Sequence, residues 1–183
     1  MNKLLIVVDM INGFINEGLM HDTRINKITP TITKLIKNFS KEKTYFVTDS
    51  HKEDAIEFES FPKHCLEGSR ESLVIDDLQE YICDNHIILK NSVNSFFNFY
   101  KKDILKDNDI YIVGCCTDIC VLQFSLTLLA YINENNLNNK VFVVKDAVDT
   151  FNNDNHIAEI YNNMALSIIS TNGVRIVESK DIV

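Results

Sequence analysis

The sequence predicts a doubly wound α/β fold built on a parallel sheet. Three observations predict it. Short apolar runs alternate along the chain with segments of helical spacing. The runs are continuous instead of alternating with polar residues, the pattern of strands covered on both faces. Chemistry-bearing residues recur where the runs end, which is where open α/β sheets place their sites.

The first run, 3–9 (KLLIVVD), ends on Asp9. A helix is expected over Thr29–Phe39, where Ile32, Leu35 and Ile36 share a face, Thr29 is an N-cap and Pro30 takes the first helical position. The second run, 43–48 (KTYFVT), leads into Asp49, Ser50 and His51. Residues 49–71 have no period and hold Pro62, Gly68 and two of the five histidines. A loop this long in a compact domain usually serves function. A helix over Ser72–Ile82 then leads to the third run, 86–89 (HIIL), which reaches Lys90. The fourth run, 109–113 (DIYIV), gives way at Gly114 to Cys-Cys-Thr-Asp-Ile-Cys. The helix expected next, Thr117–Glu134, is apolar nearly all round and is predicted to be largely buried. The fifth run, 140–145 (KVFVVK), leads to Asp146. A helix over His156–Ile169 carries Ile157, Ile160, Tyr161, Met164 and Ala165, and the sixth run is 173–177 (GVRIV). The Asn-rich stretches at 133–139 and 152–155 read as turns, and no internal repeat is visible.

At 183 residues one domain over 1–183 is expected, large enough to bury a core without staples. The net charge of −8 argues against nucleic acid or an anionic membrane as partner. The apolar run at 3–9 is too short for a secretory leader, and nothing approaches the ~20 apolar residues of a membrane span. The cysteines (Cys65, Cys83, Cys115, Cys116, Cys120) are odd in number and clustered, which fits free thiols in a reducing cytoplasm.

The chemistry gathers at the strand ends. Cys120 is placed in the first turn of a helix, where free N–H groups and the macrodipole favour a thiolate. Asp9 can accept a thiol proton and return it to a leaving amine. Lys90 can hold both charges. The competing reading makes Asp9 and Lys90 an ion pair and Cys120 a core residue, but three separate strand ends then carry reactive groups by coincidence. Asp49, His51 and His64 read as ligands of one divalent ion, Zn, Mn or Fe, with Glu57 or Glu59 as a fourth. His21, His86 and His156 have no such partners and read as bystanders, and Cys65 and Cys83 read as inert. The first strand is followed by DMINGF instead of a G-x-G-x-x-G turn, which counts against a dinucleotide-binding oxidoreductase. An inactive interaction module has no need of a reactive thiol.

Four segments together resemble the isochorismatase-like cysteine hydrolases, in their nicotinamidase-like branch. They are VVDMINGF at 7–14, TDSH at 48–51 with FPKHCLEGS at 61–69, LKNSVNSFF at 89–97 and VGCCTDICV at 113–121. The resemblance implies a three-layer α/β/α sandwich, a Rossmann-like six-stranded parallel sheet in the order 3-2-1-4-5-6. It implies a catalytic triad of Asp9, Lys90 and Cys120, and an oxyanion hole from the Cys116 and Cys120 N–H groups beside a cis Cys115–Cys116 bond. It implies a metal held by Asp49, His51 and His64, with Glu57 where some relatives place a further ligand, and Phe14, Phe96 or Phe97, and Cys115 around the substrate. The reaction implied is hydrolysis of a small amide through a thioester, nicotinamide leading, with pyrazinamide-like, carbamoyl or ureido compounds as alternatives. Homo-oligomers occur among such proteins, and the helix from Thr117 and the segment from Phe97 to Lys101 are the surfaces expected to line an interface. The chain departs from typical nicotinamidases at Ile11 (usually Gln), at Ser50 (usually Trp), and at Val93 and Asn94, where a Tyr is expected. These departures fall on the pocket walls and leave the triad and metal set intact.

Overall fold

The computed structural model describes residues 2–102, 104–105 and 108–182. Six strands, β1 (Asn2–Val8), β2 (Thr44–Asp49), β3 (Ile87–Lys90), β4 (Asn108–Gly114), β5 (Val141–Val148) and β6 (Arg175–Val177), form one sheet in the order β3-β2-β1-β4-β5-β6. Every pairing is parallel. The order reverses between β1 and β4, so the switch point lies at the ends of those two strands.

Alternate side chains of each central strand enter different cores. Leu5 and Val7 of β1 and Tyr111 and Val113 of β4 pack on one face, with Ile32, Leu35 and Ile36 of α2 (Thr29–Phe39). Leu4, Ile6, Val8, Ile110 and Ile112 pack on the other, against Phe124, Leu128 and Ile132 of α5 (Leu122–Glu134) and Ile169 of α6 (Ala158–Thr171). Both faces are dry, which is why the strands read as continuous apolar runs. Short helices α1 (Asn12–Ile15), α3 (Asp76–Gln79) and α4 (Phe96–Phe99) complete the layers.

Several expectations need correction. Thr29 lies inside α2, and its hydroxyl bonds Asn26 Oδ1, because a 3-10 turn over Thr23–Ile28 already leads into the helix. The helix over Ser72–Ile82 shrinks to the one turn of α3. Residues 73–75 are drawn into extended pairing with the chain after β1: Asn12 N–H donates to Leu73 O and Ile75 N–H to Met10 O, both at 3.0 Å. Tertiary pairing there overrides helical spacing. The long helix divides into a π-helical turn, Thr117–Val121, and α5, which buries only Phe124, Ser125, Leu128 and Ile132. In α6 the buried residues are Ala158, Ala165 and Ile169, while Ile160 and Met164, and Ile157 just before the helix, are exposed.

Gly114 closes the switch point. Its φ is +110°, and a Cβ there would lie 1.9 Å from Val8 O. Only glycine permits this approach, and it lets Cys115 N–H reach Val8 O at 2.9 Å.

Candidate active site

Asp9 follows β1 in a left-handed conformation, φ +51°, rare for a residue with a side chain. Three hydrogen bonds and an ion pair hold it there, or reach out from it. Its N–H donates to Val47 O at 2.8 Å, and its carbonyl accepts from Cys115 Sγ at 3.1 Å. Its Oδ1 accepts from Asp49 N–H at 2.9 Å, its Oδ2 meets the Lys90 ammonium, and Thr48–Asp49 pairs with Leu89–Lys90 at the end of β2 and β3. The fully buried carboxylate is thereby aimed across the strand ends.

Lys90 is buried between two acids. Its Nζ lies 2.9 Å from Asp9 Oδ2, 2.5 Å from Asp49 Oδ1 and 3.8 Å from Cys120 Sγ. Oxygens of Asp9 and Asp49 and the Cys120 sulfur all lie within 4.8 Å of one another. Burial raises the Asp9 carboxyl to about 7, with the Asp49 charge adding to it and Lys90 opposing. Burial also acts to raise Asp49, but Lys90 and His51 outweigh it and hold that carboxyl below its ordinary range. Lys90 itself stays charged, because Asp49 and Asp9 outweigh its burial.

The thiol behaves differently from the sequence expectation. Cys120 occupies a π-helical turn that precedes α5 and is buried. Burial pushes its thiol well above the ordinary value, Asp9 and Asp49 push it further, and Lys90 only partly compensates. The resting pair is therefore a thiol beside a carboxyl titrating near neutrality, not a thiolate made by a helix dipole. A base and a donor arranged this way are placed to exchange a proton.

The Cys115–Cys116 peptide bond is cis. Cys116 N–H donates to no backbone carbonyl among the described residues, while its carbonyl accepts from Ile119 and Val121 N–H at 3.2 and 3.1 Å.

Asp49, His51 and His64 each bring one donor atom within 4.8 Å of the others. His51 Nε2 lies 3.4 Å from Asp49 Oδ1 and 3.7 Å from Glu57 Oε1, and His64 Nε2 lies 3.9 Å from Asp49 Oδ2. His64 Nδ1 bonds Pro62 O at 2.7 Å, which leaves Nε2 as the free lone pair. Both nitrogens of fully buried His51 and the Oε1 of Glu57 lack a hydrogen-bond partner. Buried polar atoms without partners are costly, and a divalent cation between His51 Nε2 and Glu57 Oε1 would satisfy two of the three. Burial, with Phe14, Phe58 and Phe61 packed around the ring, holds His64 below its usual value and so in its ligating form. Burial also lowers His51, but the Asp49 and Glu57 charges outweigh it. Glu57, 13% exposed, bonds Val93 N–H through its other oxygen at 2.9 Å. Glu59 is exposed and takes no part.

These groups meet at a cavity lined by Phe14, Asp49, Glu57, His64, Cys116 and Cys120, together with Met20, Phe61, Val93, Ile119 and Phe151. Its volume is about 20 Å³, room for about one water. Three expected wall residues are elsewhere. Cys115 is sealed in the core with its thiol on Asp9 O. Phe96 stacks on Tyr100 and packs on Tyr131 instead of lining the cavity, and Phe97 is 60% exposed. Asp146 lies within β5 and bonds Ser179. The acid at that strand end is Asp149, tied to Arg24 and Lys27 at 3.0 and 2.9 Å. Of the walls that sequence reasoning missed, Phe151 and Ile119 had a signal, since each lies just beyond a strand's carboxyl end. Met20 had none.

A carboxylate, an ammonium and a thiol meeting at the switch point of a doubly wound sheet define a class, the cysteine hydrolases. The chain belongs to the isochorismatase family, whose Isochorismatase domain matches residues 3–173, in its nicotinamidase-like branch. It is 30% identical over 177 residues to "Nicotinamidase 1" of Arabidopsis thaliana, a match covering 85% of this chain and 72% of that one. The fold is shared with the zinc complex of a Pyrococcus horikoshii pyrazinamidase (TM-score 0.77, 24% identity, 97% and 99% of the two chains). It is shared also with an N-carbamoylsarcosine amidase of Thermoplasma acidophilum (TM-score 0.73, 23% identity, 98% and 97%). The protein is an amidohydrolase acting on C–N bonds.

Proposed function

We propose that the protein hydrolyses the carboxamide of a small neutral heteroaromatic compound, nicotinamide first, through a thioester on Cys120. One observation carries the reading. Cys120, with Lys90 Nζ 3.8 Å from its sulfur and an Asp9 oxygen within 4.8 Å of it, lines a cavity that Asp49 and His64 also line, and whose remaining walls are mostly apolar. Asp9 takes the thiol proton, and the sulfur attacks the amide carbon as the C=O electron pair moves onto oxygen. The Cys116 and Cys120 N–H groups hold that oxyanion. Collapse expels ammonia with the proton from Asp9 and leaves the thioester, which water hydrolyses with Asp9 again as base. Lys90 keeps two buried carboxylates in place throughout. Asp49, His51, His64 and Glu57 hold a divalent metal, Zn, Mn or Fe. When bound, the ion supplies a coordination position for a ring nitrogen and so orients the substrate. The relatives' names, nicotinamidase and pyrazinamidase, support this choice. The five free cysteines support a cytoplasmic location.

The walls also argue against an anionic substrate. The cavity lining has two acids and, among the described residues, no Arg or Lys, so a carboxylate such as that of N-carbamoylsarcosine meets like charge on the walls, and a divalent ion held there would already be offset by those two acids. Like charges brought together cost several kcal/mol. Nicotinamide and pyrazinamide are expected to release ammonia at least about 100-fold faster than N-carbamoylsarcosine, from protein carrying about one equivalent of divalent metal by elemental analysis. Preference for the anionic compound, or metal-free protein of full activity, overturns the reading.

Asp9 acts as base only when ionised. With its carboxyl at about 7, kcat/KM is expected to rise with pH through about 7 and level off above it. A profile that is flat across that range contradicts the role given to Asp9.

A further inference from the structure

His156 belongs to neither the triad nor the metal group, yet it joins two parts of the site. Its Nε2 lies 2.7 Å from Asp118 Oδ2, and its Nδ1 lies 2.9 Å from Phe151 O. The ring is stacked between Phe151 and Tyr161, with centroids 3.9 and 3.8 Å away and interplanar angles of 10° and 23°. The His156 and Asp118 side chains are each 12% exposed. Asp118 stands in the middle of the turn that runs from Cys116 to Cys120, and Phe151 is a wall of the cavity.

The imidazole is held by its own segment as well. Asn153 and His156 exchange backbone hydrogen bonds at 3.0 and 3.1 Å, and Asn152 Oδ1 accepts from Ala158 N–H at 3.0 Å. The ring therefore presents a fixed donor to Asp118. Among the described residues the turn's backbone is tied to this side of the fold from Thr117 N–H to Asp149 O, at 3.1 Å. Without His156 the turn keeps that anchor at its start and loses the one at its centre.

We propose that His156 is a positioning residue for amide hydrolysis. Through Asp118 it fixes the Cys116–Cys120 turn so that its N–H groups face the attacked carbonyl, and through Phe151 it ties that alignment to the wall on which the substrate lies. The inference rests on the thioester mechanism proposed above but not on nicotinamide being the amide. Donors to an oxyanion act in the transition state, so their misalignment lowers kcat more than it raises KM.

The test compares His156→Ala, Asp118→Ala, Asp118→Asn and the double alanine variant. In Asp118→Asn the introduced amide can donate from its nitrogen to an unprotonated His156 Nε2 while Nδ1–H stays on Phe151 O, so the bracket is kept. His156→Ala and Asp118→Ala are each expected to lower kcat roughly 10- to 100-fold with KM within about 3-fold. Asp118→Asn should retain kcat within about 3-fold, and the double variant should be no worse than either single one. Asp118→Ala leaves the stacked ring in place, so it carries the test if His156→Ala folds poorly. A His156→Ala kcat within about 2-fold of wild type overturns the proposal. So does an Asp118→Asn as impaired as Asp118→Ala, or a loss confined to KM. If the wild type hydrolyses pyrazinamide or a carbamoyl amide but not nicotinamide, the substrate reading fails and the comparison is made on that amide. A wild type that releases ammonia from none of them overturns both.

Discussion

Cys120→Ala is expected to abolish ammonia release, by at least about 10⁴-fold, while leaving a folded protein. No other thiol can stand in. Cys115 spends its hydrogen on Asp9 O inside the core, burial drives the Cys65 thiol far up, and Cys83 lies on the distant segment after α3. Cys116 shares the cavity, but Lys90 Nζ reaches the sulfur of Cys120, at 3.8 Å. The substitution removes one buried sulfur and its long contact with Lys90 Nζ, which keeps Asp9 and Asp49 as partners. The thermal midpoint should therefore shift by no more than about 1 kcal/mol of stability. Ammonia release and a calorimetric melt on the same preparation make the measurement. Turnover above about 1% of wild type in a folded variant would remove Cys120 from the mechanism.

The strands were legible before the fold was known because both faces of a parallel sheet are dry, so 4–8 and 110–113 carry their signal in consecutive residues. Their ends then located Asp9, Asp49, Lys90 and Cys120 without further information, since the switch point gathers whatever follows the strands. Three things were not legible, for different reasons. The protonation state of Cys120 depends on burial and on two carboxylates from other strands, which outweigh any local helix effect. The aromatic walls depend on side-chain direction: Phe96 and Phe97 lie close in sequence to Lys90, but α4 turns them toward Tyr100 and Tyr131 or into solvent. His156 looked idle because its partner, Asp118, lies 38 residues away, and no local pattern records such a contact.

Lys90→Met should cost the most stability of any single change at the site. The methionine fills the same volume and brings no charge. It leaves Asp9 and Asp49, both fully buried, with oxygens within 4.8 Å of each other and of the thiol. Among the described residues no other Lys or Arg pairs with either acid. Removing one partner of a buried ionic set costs about 3–5 kcal/mol, a large share of the roughly 5–15 kcal/mol that holds a domain folded. The sign of the pH response separates this cause from simple loss of packing. Lys90 now opposes the upward shift of Asp9 and holds Asp49 down. Without it the Asp9 carboxyl rises still further above its unfolded value and Asp49 loses the first of the charges that hold it down, so the folded state binds more protons than the unfolded one and stability increases as the pH falls. The variant should therefore recover part of its loss at about pH 5 relative to about pH 8, where a packing defect would be indifferent. Its activity should be lost at neutral pH even in the folded fraction, because a carboxyl pushed above about 7 is protonated and cannot take the thiol proton. Melts at the two pH values, with ammonia release at each, read both effects. A variant within about 1 kcal/mol of wild type at both would mean that the two acids do not share the buried charge of Lys90, and the triad geometry would lose its electrostatic basis.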